Sequence, residues 1–138
     1  MHRANRYCSA PGRPRWTDID DDWGRMEQYF RIEEDVNREV PVISVIGEID
    51  VATAPQLREC LHGVIGPDRP SVVLDLLAVT FLDSTALGVL VGALKRCREL
   101  GGELHVVVAD ARIMKIFEIT GLTKVFPIAD SLAAAGAA

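Results

Sequence analysis

The sequence predicts an α/β domain with a largely parallel sheet and one antiparallel hairpin at its start. Two strand-like segments, Gln28–Ile32 and Val40–Ile46, flank a polar stretch of Glu33, Glu34, Asp35 and Asn37, which is the pattern of a hairpin. Beyond them, short apolar runs alternate with stretches whose apolar residues recur every three or four positions. Helices lying between strands imply crossover connections, and crossovers imply parallel pairing. The chain has 138 residues, 49% of them hydrophobic and 25% charged. A chain of that length buries roughly two-thirds of the surface its unfolded form exposes, so one core holds it without disulfide or metal.

Residues 1 to about 25 differ from the rest. They carry Pro11, Gly12, Pro14, five arginines and the acidic cluster Asp18, Asp20, Asp21 and Asp22, and few of them gain from being ordered. A flexible arm is expected there, with the domain proper spanning 26–138. Gln28–Ile32 alternates polar and apolar and forms the first strand. Val40–Ile46 is β-branched and forms the second, with Pro41 near its start where no ladder donor is needed and Gly47 at its end.

Thr53-Ala-Pro55 opens a helix. Thr53 is expected to cap the free N–H groups, and Pro55 sits in the first turn, where its missing donor costs nothing. Leu57, Leu61, Val64 and Ile65 supply the apolar stripe, and Gly66-Pro67 stops it. Ser71–Leu76 reads as a covered strand. After Phe81-Leu82, the capping residues Asp83, Ser84 and Thr85 start a second helix. Leu87, Leu90, Val91, Leu94 and Cys97 recur along it until Gly101-Gly102. Glu103–Val108 is another strand, and Asp110 caps a third helix bearing Ile113, Ile116, Phe117 and Ile119. Gly121 ends it. Val125–Ile128 is a short extended piece, and Asp130 caps an Ala-rich terminal helix.

Several function classes are excluded by what the chain lacks. The formal net charge is −5, and phosphate-backbone binding needs clustered positive charge, so no nucleic-acid partner is expected. No apolar stretch follows the first arginines and none is long enough to span a bilayer; the expected compartment is the cytoplasm. Cys8, Cys60 and Cys97 form no CxxC pair, which argues against a disulfide scaffold or a zinc site. Cys60 and Cys97 border apolar stripes and read as small core residues. No GxGxxG, GxxxxGK[ST] or GxSxG run occurs, and His2, His62 and His105 lack ligand spacing. No catalytic residue, metal or cofactor is therefore expected.

The informative segment is Asp83-Ser84-Thr85. Taken alone, these residues are helix caps. A hydroxyl in the first turn also lies near unpaired N–H groups and the positive end of the helix dipole, where a phosphate is stabilised locally. A phosphate there adds about −1.5 to −2 charges beside Asp83 and changes the surface a partner meets without unfolding the domain. If the strands are parallel, Asp50 in Gly47-Glu48-Ile49-Asp50 lies at the same sheet end, outside the carboxyl ends of the strands. Asp50 also reads simply as the start of a turn.

Gly47–Asp50, Leu74-Asp75-Leu76, Phe81–Gly88, Gly101–Leu104 and Phe117–Leu122, in that order, resemble the STAS domain, and among its members the bacterial anti-sigma-factor antagonists. The resemblance runs from about residue 26 to 135. It implies a STAS-like mixed sheet of four to five strands with helices packed mainly on one face. It also implies a non-enzymatic switch. The unphosphorylated antagonist binds an anti-sigma factor, a serine kinase of the GHKL ATPase type, and so releases a sigma factor. The kinase phosphorylates a helix-start serine, and a PP2C-type phosphatase reverses it. By position the acceptor is Ser84, with Asp50, Thr53, Asp83, Thr85 and Gly88 on the partner-binding surface. Thr85 is a rival acceptor. Ala86 departs from the glycine many members carry, a methyl expected to narrow a kinase's approach. Two other readings stand beside this one: a non-phosphorylated STAS scaffold, and a nucleotide-binding STAS domain.

Overall fold

A computed structural model describes residues 30–136. The arm expected over 1–25 and the domain start at Met26 lie outside the described residues. One five-stranded sheet runs in the order β1-β2-β3-β4-β5. Its strands are β1 (Phe30–Asp35), β2 (Val42–Ile49), β3 (Val72–Leu82), β4 (Leu104–Val107) and β5 (Ile128–Ala129). β1 pairs with β2 antiparallel, and every other neighbour is parallel. Helices α1 (Ala54–Val64), α2 (Ser84–Glu99) and α3 (Ala111–Ile119) pack on one face. The expected mixed α/β architecture is therefore present.

Three strand boundaries are corrected. Glu33, Glu34 and Asp35 are not a turn: they pair with Ser44, Ile43 and Val42. Pairing along β2 overrides their polar composition, because strand preference is set mostly by neighbours. Alternation turns Ile32 and Glu34 inward, and Glu34 is only 2% exposed. Burial pushes its carboxyl above the usual range, against the lowering charge of Arg69. β2 does not stop at Gly47, which takes φ 108° at a register shift and lets the strand bulge on to Ile49; glycine reaches that conformation without strain. β3 runs to Leu82 instead of Leu76, with two register shifts against β2. Of β3, only Val72–Asp75 pairs with β4.

The helices follow the expected stripes except at Ile119, expected on the α3 stripe but 74% exposed at the end of that helix. Leu57, Leu61 and Val64 of α1, Ala86, Leu90, Leu94 and Cys97 of α2, and Ile113 and Phe117 of α3 are buried. Phe117 meets Phe126 edge to face at 5.9 Å, a geometry that adds about 0.5–1.5 kcal/mol beyond the area buried. Cys97 is a free, buried thiol, and burial pushes it up to about 11, helped by the charge of Glu103. It is therefore protonated and unreactive at neutral pH. Cys60 is buried as expected, but it is disulfide-bonded, so it is more than a plain core residue.

The terminal helix expected after Asp130 is a set of turns. Ser131 Oγ accepts from the Ala134 N–H at 3.1 Å, and the Ala135 N–H reaches the Ser131 carbonyl. Gly136 closes it at φ 82°. So short a stretch cannot repay helix nucleation. Leu132 and Ala135 instead pack on Val42, Val73 and Val107, on the face opposite the helices. The extended piece expected at Val125–Ile128 is displaced: Val125 closes a 3-10 turn, and only Ile128–Ala129 joins the sheet.

Candidate docking and modification site

Two loops meet at the carboxyl ends of β2 and β3. Ile49 lies beside Leu82 in the parallel register, and the Asp83 N–H donates to the Ile49 carbonyl at 3.2 Å. That bond joins the Asp50 loop to the start of α2. Parallel pairing thus brings Asp50 and Ser84 to one edge, the place where open α/β sheets carry their sites.

Asp83 is the N-cap of α2. Its carboxylate accepts from the Ala86 N–H at 2.9 Å, and its carbonyl takes the first helical bond, from Leu87, at 3.1 Å. The N–H groups of Ser84 and Thr85 take no partner among the described residues. Ser84 and Thr85 are both exposed. The front of a 16-residue helix therefore presents a hydroxyl and two donors to solvent, and its dipole favours negative charge there. Ala86 is fully buried. Its methyl points into the core, so the expected narrowing of the approach to Ser84 does not arise.

Asp50 and Thr53 are occupied with each other. The Asp50 carboxylate accepts from the N–H groups of Ala52 and Thr53, at 3.0 and 3.1 Å. Thr53 Oγ1 accepts from the Asp50 N–H and donates to the Glu48 carbonyl, both at 2.9 Å. Thr53 makes no side-chain cap, which corrects the expectation that it caps α1. The reason is local competition: its hydroxyl bonds back into the loop, a habit of threonine next to turns. The Asp50 carbonyl instead takes the Ala54 N–H at 2.7 Å. The expected partner-binding set of Asp50, Thr53, Asp83 and Thr85 thus forms one contiguous loop pair.

Gly88 stands one turn beyond Ser84 on the exposed side of α2, and a Cβ there meets nothing within 4 Å. Ala is favoured over Gly inside a helix by about 1 kcal/mol. Gly88→Ala is expected to raise the unfolding free energy by about 1 kcal/mol, read from the denaturant midpoint. A loss of stability would show that the site is not open.

Composition did not single out the apolar rim. Val51 is 69% exposed and Phe81 is 46% exposed, one on each loop approach. The signal for Phe81 is subtle, since the register shift at Gly47–Glu48 sets it beside Glu48 and away from the helices. Among the described residues, no group of three or more His, Cys, Asp or Glu could hold a metal, and no helix is long and apolar enough to cross a membrane.

The family model of the STAS domain matches residues 31–135. The chain belongs to that family. It is 41% identical over 86 residues to the anti-sigma-B factor antagonist of Listeria monocytogenes, covering 62% of this chain and 75% of that protein. To the anti-sigma-B factor antagonist of Staphylococcus aureus it is 39% identical over 80 residues, covering 58% and 74%. A crystal structure of an anti-sigma factor antagonist from Mycobacterium paratuberculosis superposes with a TM-score of 0.69 at 33% identity, over 75% of this chain and 88% of that one. The chain is thus a homologue of the bacterial anti-sigma-factor antagonists.

Proposed function

We propose that this protein is an anti-sigma-factor antagonist whose partner binding is switched by phosphate on Ser84. In this reading the bare chain engages an anti-sigma factor, a serine kinase of the GHKL ATPase type, in the cytoplasm, and a sigma factor is released. Phosphorylation ends the engagement, and a PP2C-type phosphatase restores it. The chain contributes a surface and an acceptor hydroxyl, with no chemistry of its own.

The observation that carries this reading is the exposed Ser84 hydroxyl at the front of α2, tied through Asp83 and Ile49 to the Asp50 loop, in a STAS-family chain. A kinase needs an accessible hydroxyl, and Ser84 offers one. The helix front tolerates the added charge, so the fold survives the modification. The partner meets a different surface. An apolar rim of Val51 and Phe81 flanks acidic Asp50 and Asp83, and a dianion between them must either find a cation on the partner or be buried unpaired.

The test is to incubate the chain with ATP and the ATP-binding anti-sigma factor of the same organism, then locate the phosphate by mass spectrometry. Phosphate on Ser84, absent in Ser84→Ala, is the expected result. Phosphate on Thr85 with Ser84 bare overturns the assignment.

A further inference from the structure

Val51 stands at the tip of the Asp50 loop and is 69% exposed. It occupies a turn, where small polar residues are favoured and a β-branched one gains nothing locally. Among the described residues its side chain joins neither apolar cluster. The fold therefore gives no reason for a valine at this position.

The residues around it are tied down. Asp50 Oδ1 accepts from the N–H groups of Ala52 and Thr53, at 3.0 and 3.1 Å. The Thr53 hydroxyl, 3.2 Å from the same oxygen, accepts from the Asp50 N–H and donates to the Glu48 carbonyl, both at 2.9 Å. The Asp50 carbonyl takes the N–H groups of Thr53 and Ala54, at 3.1 and 2.7 Å. These bonds close on either side of residue 51, and none of them uses it. Asp50 and Thr53 are half-buried, and Oδ1 of the one and Oγ1 of the other are directed into the loop. The bond from the Asp83 N–H to the Ile49 carbonyl fixes the loop beside Ser84. A stiff loop carrying a β-branched side chain has little conformational freedom to lose when a partner covers it.

We propose that Val51 is the apolar anchor of the docking surface, that Asp50 and Thr53 are positioning residues that hold it out, and that the anti-sigma factor receives it in an apolar hollow. This rests on the antagonist reading above and assigns the contact within it.

The test is calorimetric titration of the unphosphorylated full chain with the ATP-binding anti-sigma factor of the same organism, beside an unfolding midpoint for each variant. Val51→Ala is expected to weaken binding about tenfold, the loss of two buried carbons, with the midpoint unchanged. Val51→Thr keeps the shape, adds a hydroxyl and is expected to lose comparable affinity. Thr53→Val is expected to weaken binding to a similar extent and to speed amide exchange at Asp50, a change read without the partner; Thr53→Ser is expected to restore both. Asp50→Asn keeps Oδ1 and is expected to recover most of what Asp50→Ala loses. Undiminished binding by Val51→Ala or Val51→Thr overturns the proposal. So does an equal loss in Asp50→Asn and Asp50→Ala, which would make the charge itself the contact. Faster exchange in Thr53→Val with binding intact overturns it as well. Absence of binding by the unaltered chain overturns the antagonist reading, and this proposal with it.

Discussion

Ser84→Glu is expected to weaken binding of the anti-sigma factor about a hundredfold, whereas Ser84→Ala leaves it near the unmodified value. A hundredfold loss corresponds to about 2.7 kcal/mol. The charge added at Ser84 would stand beside the Asp83 cap and across the loop pair from Asp50. Val51 and Phe81 must lose water if the partner covers them, and their burial lowers the local dielectric around the new charge. Stability is expected to hold or rise slightly, because a negative group in the first turn of a helix gains about 0.3–1 kcal/mol from the dipole. Calorimetric titration beside a denaturation curve separates the two effects. Weakened binding with an unchanged unfolding midpoint supports the switch. A fall in both would mean that the substitution acts through the fold, and equal binding by both variants would remove Ser84 from the docking surface.

Gly102→Ala is expected to destabilise the domain by about 3 kcal/mol or more, the upper range for overpacking a tight site. A Cβ on Gly102 collides with the carbonyl carbon and oxygen of Pro70 and with Ser71 Oγ. Most of that obstacle is backbone and cannot rotate away. The same junction holds β3 to β4: the Glu103 N–H donates to Ser71 Oγ at 3.0 Å, and the Val72 N–H donates to the Glu103 carbonyl at 3.1 Å. Displacing Gly102 therefore strains the sheet pairing itself. Gly101→Ala is the control. Gly101 takes φ 91° with open space around it, so its cost is the left-handed penalty alone, about 1–2 kcal/mol. Urea denaturation of both variants checks the difference, and equal losses would disprove the close approach.

These two glycines show how far a pattern can be read. Gly101-Gly102 after an apolar helical stripe reads as one C-cap, and for Gly101 that is sufficient. Gly102 is glycine because of Pro70, which is remote in the chain and adjacent only once β3 and β4 pair. The same division runs through the site. Asp83 as a cap was legible from residue type and position. Thr53 was legible in the same way, but its oxygen accepts from the Asp50 N–H instead of a helix N–H, and its proton goes to the Glu48 carbonyl.

Hydrophobic period, capping residues and the alternation of strands with helices were sufficient for the order of strands and helices as far as β5, for the hairpin followed by parallel pairing, and for placing Ser84 at a helix start, but not for the turns that replace the expected terminal helix. Those three are local signals, carried by residues a few positions apart. The reach of β2 through Gly47, the extension of β3 to Leu82, the inclusion of Glu33–Asp35 in a strand and the exposure of Phe81 depended on which strands came to lie together. A register shift of one residue turns a side chain from one sheet face to the other, and no single segment encodes the register it will share with a neighbour far along the chain.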